Sequence, residues 1–289
     1  MLSKIISFPF AIGLFTVIYL IWERGTHYAI YMVPFIVMLA VIYVLSPQID
    51  WWWYKRRPPE IYPQLKQMFS QRLPFYKKLS PRNKQRFEHR VMMYMLANEF
   101  MPQLMESVPM DIEAIAAANV VQLTFGVKDY RMSKFEHIVI CPGPFPSPQY
   151  PEHTHVSEIY AEDKSILFSM DHLVHGTINA KKNYNIGMHE YARVFLRCHP
   201  NKSYPTLPDD IWQQLETISG FTETYIRQHI GRPDVKALPT SMVLFFIFPE
   251  KFKAQLPEIY TSFTEVFNLS PVDGMEPIVN REVMGLDVS

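Results

Sequence analysis

Two long apolar runs dominate the beginning of the chain. No charged residue occurs from Ile5 to Trp22 or from Tyr28 to Ser46, and a short polar segment separates the two runs. Each run approaches the about 20 residues that a helix needs to cross the hydrocarbon core of a bilayer. The pattern predicts a two-helix transmembrane hairpin with membrane contacts at residues 5–22 and 28–46. A cleaved signal peptide is the alternative for the first run, but no small-x-small cleavage site follows it.

The basic residues that flank the two runs predict how the hairpin is oriented. Lys4 precedes the first run and Lys55-Arg56-Arg57 follows the second, whereas the connecting loop has one arginine and one glutamate. The excess of basic residues on cytoplasmic flanks therefore places both ends of the hairpin in the cytoplasm. Trp51-Trp52-Trp53-Tyr54 is typical of an aromatic belt at the inner interface. We expect a multi-pass protein of the inner (cytoplasmic) membrane, whose soluble domain faces the cytoplasm.

The remainder of the chain alternates helical and strand patterns, with helices in the majority. After a connecting region, Ser80 is a good N-cap and Pro81 suits the first helical position, so a helix is expected to about Phe100. The other predicted elements are a helix from Asp111 to Gly126, strands at 137–140, 158–160 and 165–170, helices at 184–199, 211–230 and 257–267, a polar loop at Gly176 and 179–183, and an apolar segment, Met242 to Phe248. The proline-rich stretch 142–148 is expected to be irregular.

These patterns predict an α+β class, mostly helical with a small sheet. They divide the chain into the hairpin with its aromatic and basic flank (residues 1–57), a folded domain (58–271) and a tail (272–289). The composition is 48% hydrophobic, and the acidic and basic counts are equal at 28 each, so no bulk charge favours nucleic acid. Cys141 and Cys198 are far apart and form no CxxC pair, which argues against a disulfide framework or a thiolate metal site.

The candidate chemistry lies in the helix predicted at 184–199. Its segment His189-Glu190-Tyr191-Ala192-Arg193 fits the zinc motif H-E-x-x-H at every specified position except the last. In that motif two histidines one helical turn apart bind zinc, and the glutamate activates water. Residues i and i+4 share a helix face, so Arg193 takes the place of the second histidine. A guanidinium stays protonated and has no lone pair for a metal.

The segments around this motif resemble the Mlc titration factor A family of zinc-dependent peptidases, over roughly Leu79 to Phe267. The matching segments are Leu79-Ser80-Pro81 with its helix, Ser157-Glu158, Ser165-Ile166-Leu167-Phe168-Ser169, the motif itself where the family has H-E-F-A-H, Trp212, and Glu250-Lys251-Phe252. The resemblance implies a zincin-like metallopeptidase domain.

The resemblance also implies that ligand positions are lost. Arg193 stands where the family has its second zinc histidine. A gapless register from Glu250 puts Val243 on the third ligand, a glutamate, and Lys236 on the tyrosine that steadies the transition state; Asp234 falls on an aspartate of the family. His189 is then a vestigial metal ligand in an incomplete site, and Glu190 a vestigial general base. We expect Arg193 to form an internal ion pair with Glu190 or another carboxylate.

Three functions follow as hypotheses. The first is a membrane-tethered pseudopeptidase that binds an unknown cytoplasmic protein or peptide, with no cofactor. The second is an active zinc metallopeptidase whose ligands are His189 and histidines from the H-x-H of His153 and His155 or from His172 and His175. The third is a structural subunit of a membrane complex, in which the hairpin carries the function.

Overall fold

The computed structural model describes residues 2–147 and 150–273, so most of the predicted tail lies outside the described residues. The described residues form two compact units, which divide between Pro59 and Glu60. The helices of the first unit are α1 (Leu2–Arg24), a 3₁₀-helix (Thr26–Tyr31), α2 (Met32–Val44) and α3 (Ser46–Arg56).

The first unit carries its large apolar side chains on the outside. Phe15 is 70% exposed and Trp22 is 89% exposed, and six further large apolar residues of α1 are also exposed. Leu2–Arg24 and Thr26–Val44 are each long and apolar enough to cross a membrane. Gly13 lets the helices approach closely, because a Cβ there would lie 2.2 Å from the ring of Phe35 on α2.

A side chain of α3 caps the beginning of α1. The backbone N–H of Ser3 donates to Asp50 Oδ1 at 2.9 Å, and the Ser3 hydroxyl donates to Asp50 Oδ2 at 2.8 Å. The first N–H groups of a helix have no partner within the helix. Asp50 supplies one, and it thereby attaches α3 to the first turn of α1.

The second unit is mostly helical, with a small mixed sheet. Its elements are α4 (Pro63–Arg72), α5 (Pro74–Lys78), α6 (Pro81–Ala97), β1 (Glu99–Pro102), α7 (Met110–Leu123), β2 (His137–Cys141), β3 (Phe145–Ser147), β4 (Tyr150–His155), β5 (Ser157–Tyr160), β6 (Ser165–Ser169), α8 (Met170–Ile178), α9 (Ile186–Cys198), α10 (Ile211–Ser219), α11 (Glu223–Ile230), α12 (Ala237–Ile247), α13 (Pro249–Gln255) and α14 (Pro257–Phe267). The predicted class, α+β and mostly helical with a small sheet, is confirmed.

The main sheet has the strand order β1-β2-β6-β5. The pairs β1·β2 and β2·β6 are parallel, whereas β5·β6 is antiparallel. Ile138 pairs with Ile166 and Ile140 with Phe168, and all four side chains are fully buried. Their alternation along the strands directs one face of the sheet into the core. Helix α9 packs against β5 and β6 and between α7, α8 and α12.

Arg90 closes the end of α7 from the neighbouring helix α6. Its Nη1 donates to the carbonyl oxygens of Thr124, Phe125 and Val127 at 3.1, 3.1 and 3.0 Å. Thr124 is the C-cap of α7, and Phe125 and Val127 follow it in the chain. The buried guanidinium therefore holds the segment after α7 against α6.

Helix α6 ends earlier than predicted. The helix that begins at Pro81 was expected to reach about Phe100, but α6 ends at Ala97 and residues 99–102 form the edge strand β1. Pairing with β2 outweighs the helical preference of these residues, since Glu99 to Pro102 gain a parallel partner strand. Asn98 takes an extended conformation, and its side-chain amide donates to the carbonyl of Tyr94 at 2.8 Å.

Several shorter elements were also missed. The proline-rich stretch contains strand β3, which pairs with β4 in a two-stranded ribbon. The pairing register of the two strands shifts next to Pro146, and proline is tolerated in a strand at such irregularities. The helix expected at 211–230 is two helices, since Gly220 adopts φ 80° and ends α10. Gly176 lies in helix α8, not in a loop, and the connecting region before Ser80 holds α4 and α5. Residues 242–247 belong to helix α12.

Candidate functional site

Buried polar contacts fix the first turn of α9. The Asn185 side chain accepts a hydrogen bond from the backbone N–H of Met188 at 2.9 Å, which makes Asn185 the N-cap. Its amide nitrogen donates to Asn119 Oδ1 at 2.9 Å, and Asn119 in turn donates to Thr177 at 2.8 Å. Helices α7, α8 and α9 therefore share one polar network, which holds the motif residues that follow in place.

His189 is buried and joined to a chain of hydroxyl groups. Its Nδ1 lies 2.7 Å from the hydroxyl of Tyr184, which donates to Thr240 Oγ1 at 3.3 Å; Thr240 donates to the backbone carbonyl of Lys236 at 3.0 Å. This direction of donation makes Nδ1 a donor and leaves the lone pair on Nε2. Burial is the main cause that lowers the pKa of His189 to about 4, so the ring is neutral at neutral pH.

Glu190 is fully buried, and both of its carboxylate oxygens are engaged. Oε2 accepts from Arg193 Nη1 at 2.7 Å, and Oε1 accepts from the Ser157 hydroxyl at 3.0 Å. A second guanidinium, that of Arg232, lies 3.8 Å from Oε1. Burial alone would raise the pKa of Glu190, but the charges of Arg193 and Arg232 outweigh it and hold this pKa below its usual range. The expected ion pair of Arg193 is thus present, through one nitrogen.

Arg232 is anchored on the other side by Asp234. Its Nε and Nη2 donate to Asp234 Oδ1 and Oδ2 at 3.0 and 2.8 Å, a two-pronged contact. Arg232 is buried, whereas Asp234 is half-buried. The sequence identified Asp234 as a candidate. It did not reveal Arg232, Thr240 or the hydrogen bond from Tyr184, because these residues follow no motif and meet the motif residues only in the folded chain.

The side chains at the other two positions implied to be lost take no part in this network, although the backbone carbonyl of Lys236 accepts from Thr240. Lys236 is exposed at the N-cap of α12, and Val243 is buried in the apolar core. The α12 side chain in hydrogen-bond contact with Tyr184 is that of Thr240, three residues before Val243.

The remaining histidines do not complete a metal site. His172 Nδ1 lies 3.0 Å from the Ser169 hydroxyl, and His175 Nδ1 lies 2.8 Å from the carbonyl of Asp171. Across residues 2–147 and 150–273, no group of three or more histidine, cysteine, aspartate or glutamate side chains is placed to hold a metal ion. Catalytic zinc takes three protein ligands. The described residues around His189 therefore do not fit zinc.

Comparison with known proteins bears on the ancestry of this site. No curated protein matches the chain. The model of one family, the glucose-regulated metallo-peptidase M90, matches residues 49–195, just over half of the chain. The match includes the whole motif from His189 to Arg193 and ends before α12, and it confirms the predicted resemblance. The chain belongs to the M90 family of glucose-regulated metallo-peptidases.

Proposed function

We propose that this chain is a membrane-tethered, zinc-peptidase-like protein that acts by binding a protein or peptide and does not hydrolyse it. One observation carries the proposal: Arg193, at the position of the second zinc histidine, donates at 2.7 Å to the glutamate that would activate water. The same two side chains cannot form this pair and also serve a zinc ion.

The electrostatic energy beside Arg193 supports the loss of zinc. A guanidinium about 4 Å from a cation is repelled by about 4 kcal/mol per unit charge at an effective dielectric constant of about 20, and by twice that for a divalent ion. The lone pair of His189 is a single ligand where three are needed. The carboxylate nearest to this position, that of Glu190, is already engaged by Arg193 and lies beside Arg232.

The state of Glu190 supports the loss of hydrolysis. A general base must accept a proton from water, but the carboxylate of Glu190 already accepts hydrogen bonds from Arg193 and Ser157, and its pKa is lowered. Without a metal to bring the pKa of bound water to about 7, no strong nucleophile forms at neutral pH.

The fold and the membrane tether are part of the same proposal. A zincin-like domain is supported by the motif helix α9, which packs on the small mixed sheet. The tether is supported by the two apolar stretches that end at Arg24 and Val44. The basic residues Lys4 and 55–57 favour a cytoplasmic face for the domain, so its partner is a cytoplasmic protein or peptide. The equal acidic and basic counts argue against nucleic acid.

Metal content tests the proposal directly. The full chain is purified in detergent with zinc present, and zinc per chain is measured by elemental analysis. We expect far less than one zinc per chain, and no hydrolysis of a mixed peptide library. Stoichiometric zinc, or hydrolysis that is lost on Glu190→Gln and on chelation, would overturn the pseudopeptidase in favour of the active metallopeptidase with unusual ligands.

Binding is tested separately with the same protein. Immobilised peptides are probed with the full chain and with the Tyr184→Phe variant, which breaks the hydroxyl chain beside His189 without leaving a cavity. The variant Tyr225→Phe is the control, because it removes a hydroxyl elsewhere in the same unit. A partner that is bound by the full chain and the control but released by Tyr184→Phe supports binding at this site, whereas a partner captured equally by all three would place the binding elsewhere.

A further inference from the structure

Aromatic and basic side chains form a cluster at the C-terminal end of helix α3. We define the tryptophan–cation cluster as residues 51–57, which lie on the last two turns of α3 and its C-cap. Each cation lies over the indole ring four residues before it, the spacing at which helical side chains meet. The pairs, with the distance from the cation to the ring centroid, are Lys55 and Trp51 at 5.9 Å, Arg56 and Trp52 at 4.1 Å, and Arg57 and Trp53 at 4.8 Å.

The positive charge of this cluster is not neutralised by the part of the chain that the structure describes. Lys55, Arg56 and Arg57 are exposed, and among described residues no carboxylate forms an ion pair with them. The one acidic residue of α3, Asp50, is taken up by Ser3. The helix therefore presents three exposed cations that are available to an external anion.

The chemistry of the cations determines which kind of anion fits. The guanidinium carbons of Arg56 and Arg57 lie over indole rings, 4.1 and 4.8 Å from the ring centroids. A guanidinium carries five N–H donors in its plane, and contact with a ring through its flat face leaves these donors available. Those donors match the spacing of phosphate oxygens. The indole rings beneath are themselves suited to the interface between hydrocarbon and water.

The surroundings of the cluster determine where the phosphate comes from. Asp50 attaches α3 to the first turn of α1, whose outer surface is apolar. A phosphate at this end of the apolar hairpin belongs to a lipid headgroup. We infer that the tryptophan–cation cluster binds the phosphate of anionic phospholipids and selects them over zwitterionic ones. This inference rests on the membrane tether proposed above.

Quenching of tryptophan fluorescence tests the inference with the full chain. The protein is reconstituted into phosphatidylcholine vesicles that contain increasing fractions of brominated phosphatidylglycerol or of brominated phosphatidylcholine. We expect half-maximal quenching at a lower fraction of the anionic lipid. The preference should fall roughly fivefold for each cation removed in a series ending in Lys55→Gln, Arg56→Gln and Arg57→Gln together.

A control variant with the same change in charge isolates the cluster. Lys77, Lys181 and Lys182 are exposed in the second unit, and their triple change to glutamine should leave the preference unaltered. Arg56→Lys keeps the charge but not the planar donors, so it should lose part of the preference. An equal preference in the wild type and the cluster triple variant would overturn the lipid site.

Two further measurements separate the sources of failure. Resistance to alkaline carbonate extraction tests the membrane tether. A chain that carbonate extracts from the vesicles would refute the tether. A chain that stays inserted but shows no lipid preference would refute only the headgroup site. In the second measurement, inorganic phosphate is added to one sample and chloride to another at equal ionic strength. Loss of the preference with phosphate alone would mean that the cluster binds soluble phosphate, and it would overturn the assignment to lipid.

Discussion

The two units of this chain differ in which side chains they expose and which they bury. In the first, apolar side chains such as Phe15 point outward, whereas in the second the carboxylate of Glu190 is completely buried. The first arrangement suits a hydrocarbon surrounding, in which apolar side chains are solvated. The second needs partners from distant segments, here Ser157 and Arg232. The same substitution should therefore have different effects in the two units.

Phenylalanine truncation should separate the units most strongly. Phe245 is fully buried in α12 and lies 5.0–6.0 Å, between ring centroids, from the rings of a cluster that includes Phe263 and Phe267. Phe245→Ala should lower the free energy of unfolding by about 4 kcal/mol. Phe15→Ala should change it by less than about 0.5 kcal/mol, because the ring is exposed. Denaturation in detergent, followed by near-ultraviolet circular dichroism, measures both, and equal effects would remove the contrast.

Loss of the buried ion pair should have the next largest effect. Arg193→Met leaves the carboxylate of Glu190 buried with only Ser157 and the more distant Arg232, which should cost about 3 kcal/mol. Arg227→Met is the matched control, since Arg227 pairs with Glu223 on a helix but both side chains are more than a third exposed. That change should cost less than about 0.5 kcal/mol. Similar losses from the two variants would show that burial does not set the strength of the pair.

Removal of one hydroxyl from the His189 chain should have a smaller effect. Tyr184→Phe deprives the buried Nδ1 of its partner, and the expected loss is about 1–2 kcal/mol. Tyr225 is stacked on Phe221 in the same unit, and Tyr225→Phe should change stability by a few tenths of a kcal/mol. Thermal unfolding midpoints of the two variants compare them, and a midpoint unaffected by Tyr184→Phe would argue against the hydroxyl chain.

The smallest expected effect is a dependence on pH in the second unit. The rings of His172 and His229 lie 5.3 Å apart, and burial is the main cause that lowers the pKa of both below the ordinary 6.5. Their folded state binds protons less readily than the unfolded chain, so the stability they contribute is complete above pH 6.5 and falls as the pH drops toward their lowered values. His229→Gln should flatten this decline, because it removes one of the two rings. Identical slopes for the wild type and His229→Gln would contradict the prediction.

The fold could be predicted from the sequence where one local pattern decides the structure. The last helix, α14, matches its prediction at both ends because Pro257 starts it and its apolar spacing is regular. Strand β1 was missed because it depends on β2, which lies more than 30 residues later. Helix α8 was missed because its sequence contains two histidines and Gly176, residues that resemble a loop more than a helix.

The site could be predicted only as far as the motif extends. His189, Glu190 and Arg193 lie on one helix, so their proximity follows from the spacing alone. Arg232 meets Glu190 only after the chain has passed through α10 and α11, and no spacing rule connects them. A guanidinium that reaches Glu190 from such a distance along the chain leaves no local signal in the sequence.

The contact between Ser3 and Asp50 can form only after the chain has been synthesised as far as Asp50. These residues are 47 positions apart, and at about 5–20 residues per second the ribosome needs roughly 2–9 s to make the intervening chain. During that delay the first turn of α1 waits without its cap. The hairpin can therefore complete its packing only once α3 has been synthesised, and a nascent chain truncated before Asp50 should remain open at its first turn.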